Sequence, residues 1–155
     1  MPGEWIVSSL WLGKRHVKGS RFIDSNIWLH ALFEPKQDEI DKHKRAVGLL
    51  NDVQSTWISG QVIAVVSCNL IRSKICSEHE LLNYIDSFYL RCHVVSPNKA
   101  LHHVASQLRQ RYSFSFWDSL IVAAALESDC ETLYSEDMQP GLRIASLTLV
   151  NPLKP

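Results

Sequence analysis

Apolar positions along this chain change period several times, and each change marks an element. Arg21 to Asp24 opens with a short apolar run that reads as a strand. Ile27 to Phe33 continues as a short helix, stopped ahead of Pro35. From Gln37 to Trp57, the residues Ile40, Val47, Leu50, Val53 and Trp57 recur at helical spacing among charged neighbours, which predicts one amphipathic helix. Gln61 to Ser67 is a continuous β-branched run, the pattern of a strand buried on both faces of a parallel sheet. Ser77-Glu78-His79-Glu80 has the form of a capping box, followed by a helix with Leu81, Leu82, Ile85, Phe88 and Tyr89 on its apolar face. Arg91 to Ser96 reads as a strand. Pro97 and Asn98 open a helix with Leu101, Val104, Ala105 and Leu108 inward. Phe116 to Ser128 is apolar nearly all round, which predicts a helix buried in the middle of the fold. Thr132 to Ser135 and Leu147 to Val150 read as the last two strands.

This alternation predicts an α/β protein, a parallel sheet with helices on both faces. Ligands in such sheets bind beyond the carboxyl ends of the strands, near the point where strand order reverses. Residues 21–152 form one expected domain, and residues 1–20 an N-terminal arm whose role stays open. In that arm an apolar stretch from Trp5 to Leu12 precedes Lys14, Arg15 and Lys18, the reverse of a signal peptide's order. No apolar run approaches the roughly 18 residues of a membrane span, so no membrane partner is expected.

Composition narrows the function classes. At 155 residues the chain is long enough for one well-cored domain. Lys plus Arg and Asp plus Glu are 16 each, which argues against coating nucleic acid by bulk charge. Cys68, Cys76, Cys92 and Cys130 form no C-x-x-C pair, and four reduced thiols in a cytoplasmic protein are expected.

Three aspartates stand at the ends of apolar runs: Asp24, Asp118 and Asp137. Each has a local structural explanation. Asp24 precedes a short helix and suits its cap. Asp118 lies three residues after Ser115 and suits a helix N-terminus. Asp137 sits in a loop, where aspartate is common. Together they carry more. A strand–helix alternation brings all three to one sheet edge, and clustered carboxylates resist joint ionisation unless a cation lies between them. The sequence Trp117-Asp118-Ser119-Leu120-Ile121 sets a charge against a very apolar helix, and the nearest cation in sequence is Arg111. Hard oxygen ligands of this kind suit Mg²⁺ or Mn²⁺ and point to metal-dependent phosphodiester hydrolysis.

The segments Arg-Phe-Ile-Asp-Ser-Asn at 21–26, Ser-Phe-Trp-Asp-Ser-Leu-Ile-Val-Ala-Ala-Ala at 115–125 and Thr-Leu-Tyr-Ser-Glu-Asp at 132–137 resemble the PIN domain. They resemble most its VapC-type toxins of bacterial toxin–antitoxin systems, and Leu-Thr-Leu-Val-Asn-Pro at 147–152 resembles that group's last strand. The resemblance implies a three-layer α/β/α sandwich with a central parallel sheet of about five strands. It implies a Mg²⁺- or Mn²⁺-dependent endoribonuclease that leaves a 5′-phosphate and a 3′-hydroxyl, acting as the toxin of its pair. It also implies an antitoxin that masks the site, and a homodimer. Asp24, Asp118 and Asp137 match the first, third and fourth acidic positions as catalytic residues and metal ligands. Asn26 and Ser135 match the supporting polar residues, and Glu136 is expected to point away.

One acidic position departs from the family. Its second carboxylate is a Glu on the helix after the second strand, yet Cys68-Asn69-Leu70-Ile71-Arg72-Ser73-Lys74 holds none. Glu78 is the nearest candidate substitute, Glu80 being taken by the capping box, and the segment before Ser77 reads as shorter than the family pattern. Arg72, Lys74, Arg109 and Arg111 are candidate RNA contacts, set against ordinary solvated charge. The seven histidines show no metal-binding spacing, and the five tryptophans suit core or interface. The missing Glu supports an alternative: a catalytically weakened PIN-fold protein that keeps dimer and antitoxin binding. A phosphoacceptor receiver domain ranks well behind, because Asp24-Ser25-Asn26 lacks that fold's paired acids.

Overall fold

The computed structural model describes residues 19–52 and 54–155. The reading of the N-terminal arm up to residue 18, and that of Val53, lie outside the described residues. In chain order the elements are β1 (Arg21–Ile23), α1 (Ser25–Leu32), a 3-10 turn (Gln37–Glu39), α2 (Ile40–Asn51), β2 (Thr56–Ser59), α3 (Gly60–Arg72), α4 (Glu78–Arg91), β3 (His93–Val95), α5 (Lys99–Arg111), α6 (Phe116–Glu127), β4 (Thr132–Tyr134), β5 (Arg143–Ile144) and β6 (Leu147–Val150). The sheet runs β3-β2-β1-β4-β6-β5, and its pairings are parallel except β5 with β6. It therefore has six strands rather than about five, the addition being the two-residue antiparallel β5. No helix of the described residues is long and apolar enough to cross a membrane.

The core forms where the apolar runs converge. All three β1 residues are buried, as a central strand between β2 and β4 requires. Helix α6 buries Ser119 and every residue from Ile121 to Ala125, and α5 packs along it through Leu101, Ala105 and Leu108. Helix α4 begins with the predicted capping box, Ser77 and Glu80 each bonding the other's backbone N–H. Its buried face is Leu81, Tyr84 and Phe88, whereas Leu82 and Tyr89 are 56% and 61% exposed.

Two assignments from the pattern are corrected. The helix predicted over Gln37 to Trp57 ends at Asn51, and Thr56–Ser59 forms β2. The reason is Arg21, a buried residue whose guanidinium donates to the carbonyls of Leu49 (2.7 Å) and Asp52 (2.9 Å) and to Thr56 Oγ1 (3.0 Å). Those bonds add to the backbone bonds that Leu49 O and Asp52 O already accept at the end of α2, and they anchor β2 beside β1. Trp57 then stacks on His93 of β3, ring centroids 4.5 Å apart. Once Thr56–Ser59 fills the sheet position, Gln61 to Ser67 has no strand to form and folds as the first half of α3. Val62, Ile63, Val66 and Leu70 are its buried residues, at helical spacing. The segment before Ser77 thus holds α3, a helix of 13 residues.

Arg21→Lys is expected to destabilise the fold by about 2 kcal/mol in urea unfolding, because one ammonium cannot reproduce the three bonds that the buried guanidinium makes.

Candidate active site

The strand order reverses at β1, which lies between β2 and β4, and the residues following β1 and β4 meet there. Asp24 directly follows β1, and its backbone N–H donates to Tyr134 O at the end of β4 (3.0 Å). The Asp24 side chain is 5% exposed. Oδ1 accepts from Ser25 N at 2.7 Å, so Asp24 does cap α1. Oδ2 accepts from Ser135 Oγ at 2.8 Å.

Asn26, in the first turn of α1, ties the two loops together. Its Nδ2 donates to Asp137 Oδ2 (3.0 Å) and Ser135 Oγ (3.3 Å), and its Oδ1 accepts from Glu136 N (3.2 Å). Glu136 turns away, as expected, to an ion pair with Lys42 and a 2.7 Å contact with His30 Nε2. Asp118 sits half-buried in the first turn of α6, where its N–H donates to the N-cap Ser115 Oγ (3.1 Å). The capping explanations of Asp24 and Asp118 are thus real and coexist with a shared site.

Asp24, Asp118 and Asp137 line one cavity of about 780 Å³, which the first half of α3 also lines. Its walls are otherwise largely apolar, with Ala64, Val65, Leu120 and Ile121 among them. Burial pushes the Asp24 carboxyl above its ordinary range; bonds from Ser135 and Ser25 oppose this, and the charges of Asp118 and Asp137 add to it. Burial likewise raises Asp118, with Asp137 adding to the shift. Burial also pushes Glu136 upward, but hydrogen bonds from Lys42 and His30 outweigh it and hold that carboxyl low.

The donor set suits a hard divalent cation that keeps most of its water. Among the described residues no three His, Cys, Asp or Glu side chains converge into a ready cage. Mg²⁺ does not need one, since it binds through one or two carboxylates and retains waters. Three carboxyls lining one cavity, with burial and mutual charge raising Asp24 and Asp118, favour a cation there.

Other predicted site residues fall elsewhere. Glu78 is exposed at the start of α4 and does not line the cavity, so it is no substitute carboxylate. The residues that α3 presents to the cavity are Gln61, Ala64, Val65, Cys68 and Asn69, none of them acidic. Arg72 donates to Asn69 Oδ1 (2.7 Å) without itself lining the cavity, while Lys74 is exposed past the end of α3. Arg109 bonds Ser119 Oγ (2.7 Å) and lies over the Phe116 ring, and Arg111 lies over Tyr112. Neither lines the cavity. Trp28 is buried as expected, but Trp117 is 64% exposed on the cavity wall. Ser59 and Gly60 also line the cavity and were not singled out in the sequence. A Ser-Gly pair ahead of apolar residues at helical spacing is an N-cap signal that identifies them. All four cysteines are free thiols.

The PIN domain profile matches residues 21–140, and the chain belongs to the PIN domain family. No curated protein matches the chain. Among solved structures it is similar to a toxin–antitoxin complex from Klebsiella pneumoniae, with 18% identity over 85% of this chain and 97% of that chain and a TM-score of 0.63. It is similar to VapBC2 of Rickettsia felis bound to a promoter DNA fragment, with 20% identity over 84% and 96% and a TM-score of 0.58. It also resembles VapC20 of Mycobacterium tuberculosis, a sarcin–ricin-loop-cleaving toxin, with 16% identity over 76% and 91% and a TM-score of 0.58.

Proposed function

We propose that this PIN-domain protein is a Mg²⁺- or Mn²⁺-dependent endoribonuclease, the VapC-type toxin of a toxin–antitoxin pair. The observation that carries the reading is the meeting of Asp24, Asp118 and Asp137 on one cavity at the reversal of strand order, with Asn26 bridging the β1 and β4 loops. Asp24 and Asp118 would be the principal ligands, and Asp137 would act through water. A bound divalent cation lowers the pKa of a water and offsets charge on the leaving oxygen. The protein's part is to hold the carboxylates in place. Ser135 and Ser25 hold the Asp24 carboxyl in place by donating to both of its oxygens, and they oppose the upward push of burial. The N-terminus of α6 favours charge on Asp118. The Lys42–Glu136–His30 cluster pins the loop that carries Asp137.

The exposed apolar residues Leu82, Tyr89 and Leu90 on α4 support a protein partner, which this reading assigns to an antitoxin or a second copy. The absence of a carboxylate on α3's cavity face favours a second reading, a weakened enzyme that keeps its partner surface. Incubation of single-stranded RNA with the protein in Mg²⁺ and in EDTA tests the first. Cleavage confined to the metal-containing sample is expected, and uncut RNA in both samples selects the second. Asn26→Ala is expected to slow cleavage about tenfold by freeing the Asp137 side chain, measured as initial rate at saturating metal.

A further inference from the structure

We propose that the cavity lined by α3 and α6 is a nucleobase pocket, with Trp117 as the ring on which an unpaired RNA base stacks beside Asp118. That the base belongs to RNA rests on the ribonuclease reading. The fit to a flat aromatic group rests on the cavity itself.

The cavity is too large and too apolar to serve an ion alone. A Mg²⁺ with a full octahedral shell of water fills about 200 Å³, at ~30 Å³ per water. The cavity measures about 780 Å³, so most of it lies beyond such a shell, and its lining there is largely apolar. Apolar cavities of this size take organic groups. On α6 the lining residues Trp117, Leu120, Ile121 and Ala124 are spaced i, i+3, i+4 and i+7, so they share one helix face. Trp117 opens that face one residue before Asp118, and its side chain leaves α6 on the cavity side. The small side chains of Ala64 on α3 and Ala124 on α6 leave room for a ring.

Trp117 supplies the independent observation. A tryptophan carries one of the largest apolar surfaces of any residue, yet this one is 64% exposed. Its neighbours hold it. The Phe116 ring meets it edge-on with centroids 5.2 Å apart, Arg109 lies over Phe116 at 4.8 Å, and Gln61 Nε2 donates to Trp117 O at 3.3 Å. Base stacking needs an aromatic face that is already ordered, and it accepts any base because every base has a π face. His102 of α5 also lines the cavity, and its ring nitrogens suit a base's hydrogen-bonding edge. A nucleotide joins a flat apolar group to an anion, and this cavity joins an apolar lining to the candidate cation site. A base on Trp117 therefore brings its own phosphate toward Asp118. A base within a duplex cannot enter without leaving its stack, so the pocket selects single strands.

The test compares two labelled strands of equal length and charge in EDTA by fluorescence anisotropy. One is a short single-stranded RNA, and the other is the same backbone without bases. The RNA is expected to bind about tenfold more tightly or better. Trp117→Ala should remove most of that difference with little change in Tm, because the side chain is largely exposed. Trp117→Phe should keep most of it. Ala64→Leu, on an exposed position of α3 that lines the cavity, should fill the space and remove the difference without touching an aspartate. Equal binding of the two strands, a difference that survives in either Trp117→Ala or Ala64→Leu, or no binding of either strand would overturn the pocket and leave the cavity to an apolar side chain of a protein partner. The same RNA left uncut in Mg²⁺ contradicts the ribonuclease reading instead, and the comparison of strands still decides the pocket.

Discussion

Asp118→Asn is expected to lower RNA cleavage about 10²–10³-fold and, without metal, to make the protein slightly more stable. The two effects share one cause. Asp118 is a half-buried carboxyl lining a largely apolar cavity that Asp24 and Asp137 also line. Removing its charge relieves repulsion, so Tm at neutral pH should rise by about 1–2 °C in EDTA. Added Mg²⁺ should stabilise the unaltered protein and leave the variant unchanged.

The same carboxyls set the pH dependence. Asp24 and Asp118 both have folded pKa values above the ordinary 3.8, because burial penalises their charged forms. Each then binds its proton more tightly in the folded chain than in the unfolded one. Stability of the metal-free protein therefore declines as pH rises from 3.8 through the folded values. Glu136 has the opposite sign: it is held below the ordinary 4.5, so its contribution is lost as pH falls through its folded value. Thermal melts in EDTA across this acid range should show the decline, and Mg²⁺ should reverse it at neutral pH. A flat profile in EDTA would remove the electrostatic strain on which the cation site rests.

Val65→Glu is expected to act the other way, raising Mg²⁺ affinity and cleavage about tenfold. Val65 is a half-buried cavity residue of α3, the helix on which the family carries its second carboxylate. A glutamate there adds a fourth acidic group to the cavity lining and raises the charge available to a cation. Without metal, the new charge should destabilise the fold by about 1–3 kcal/mol. Val65→Gln separates charge from bulk: it should bring neither the gain in affinity nor the gain in rate. Equal rates for the Glu and Gln variants would show that α3 does not face the ion.

The carboxyl-end site was legible because its residues adjoin strong local patterns. Asp24 follows an apolar strand, Ser115 caps the helix carrying Asp118, and Ser135 closes a short strand, so topology alone brought them together. The second strand was not legible. Gln61 to Ser67 is β-branched, and side-chain preference favours a strand there. The decision is tertiary: buried Arg21 captures the end of α2 and leaves Thr56–Ser59 to fill the sheet. A guanidinium bond to carbonyls about 30 residues away leaves no periodic trace in sequence. The same β-branched pattern masks Ser59 and Gly60 as a helix start and leaves Glu78 as the nearest carboxylate in sequence. Strand β5 is not legible for a simpler reason, since two residues have no period to read.

Calorimetric titration of Mg²⁺ into the unaltered protein and into Asp118→Asn tests the central claim most directly. The account predicts saturable binding to the first and none to the second. Equal binding to both, or none to either, would contradict it and leave the aspartates as helix caps and loop residues.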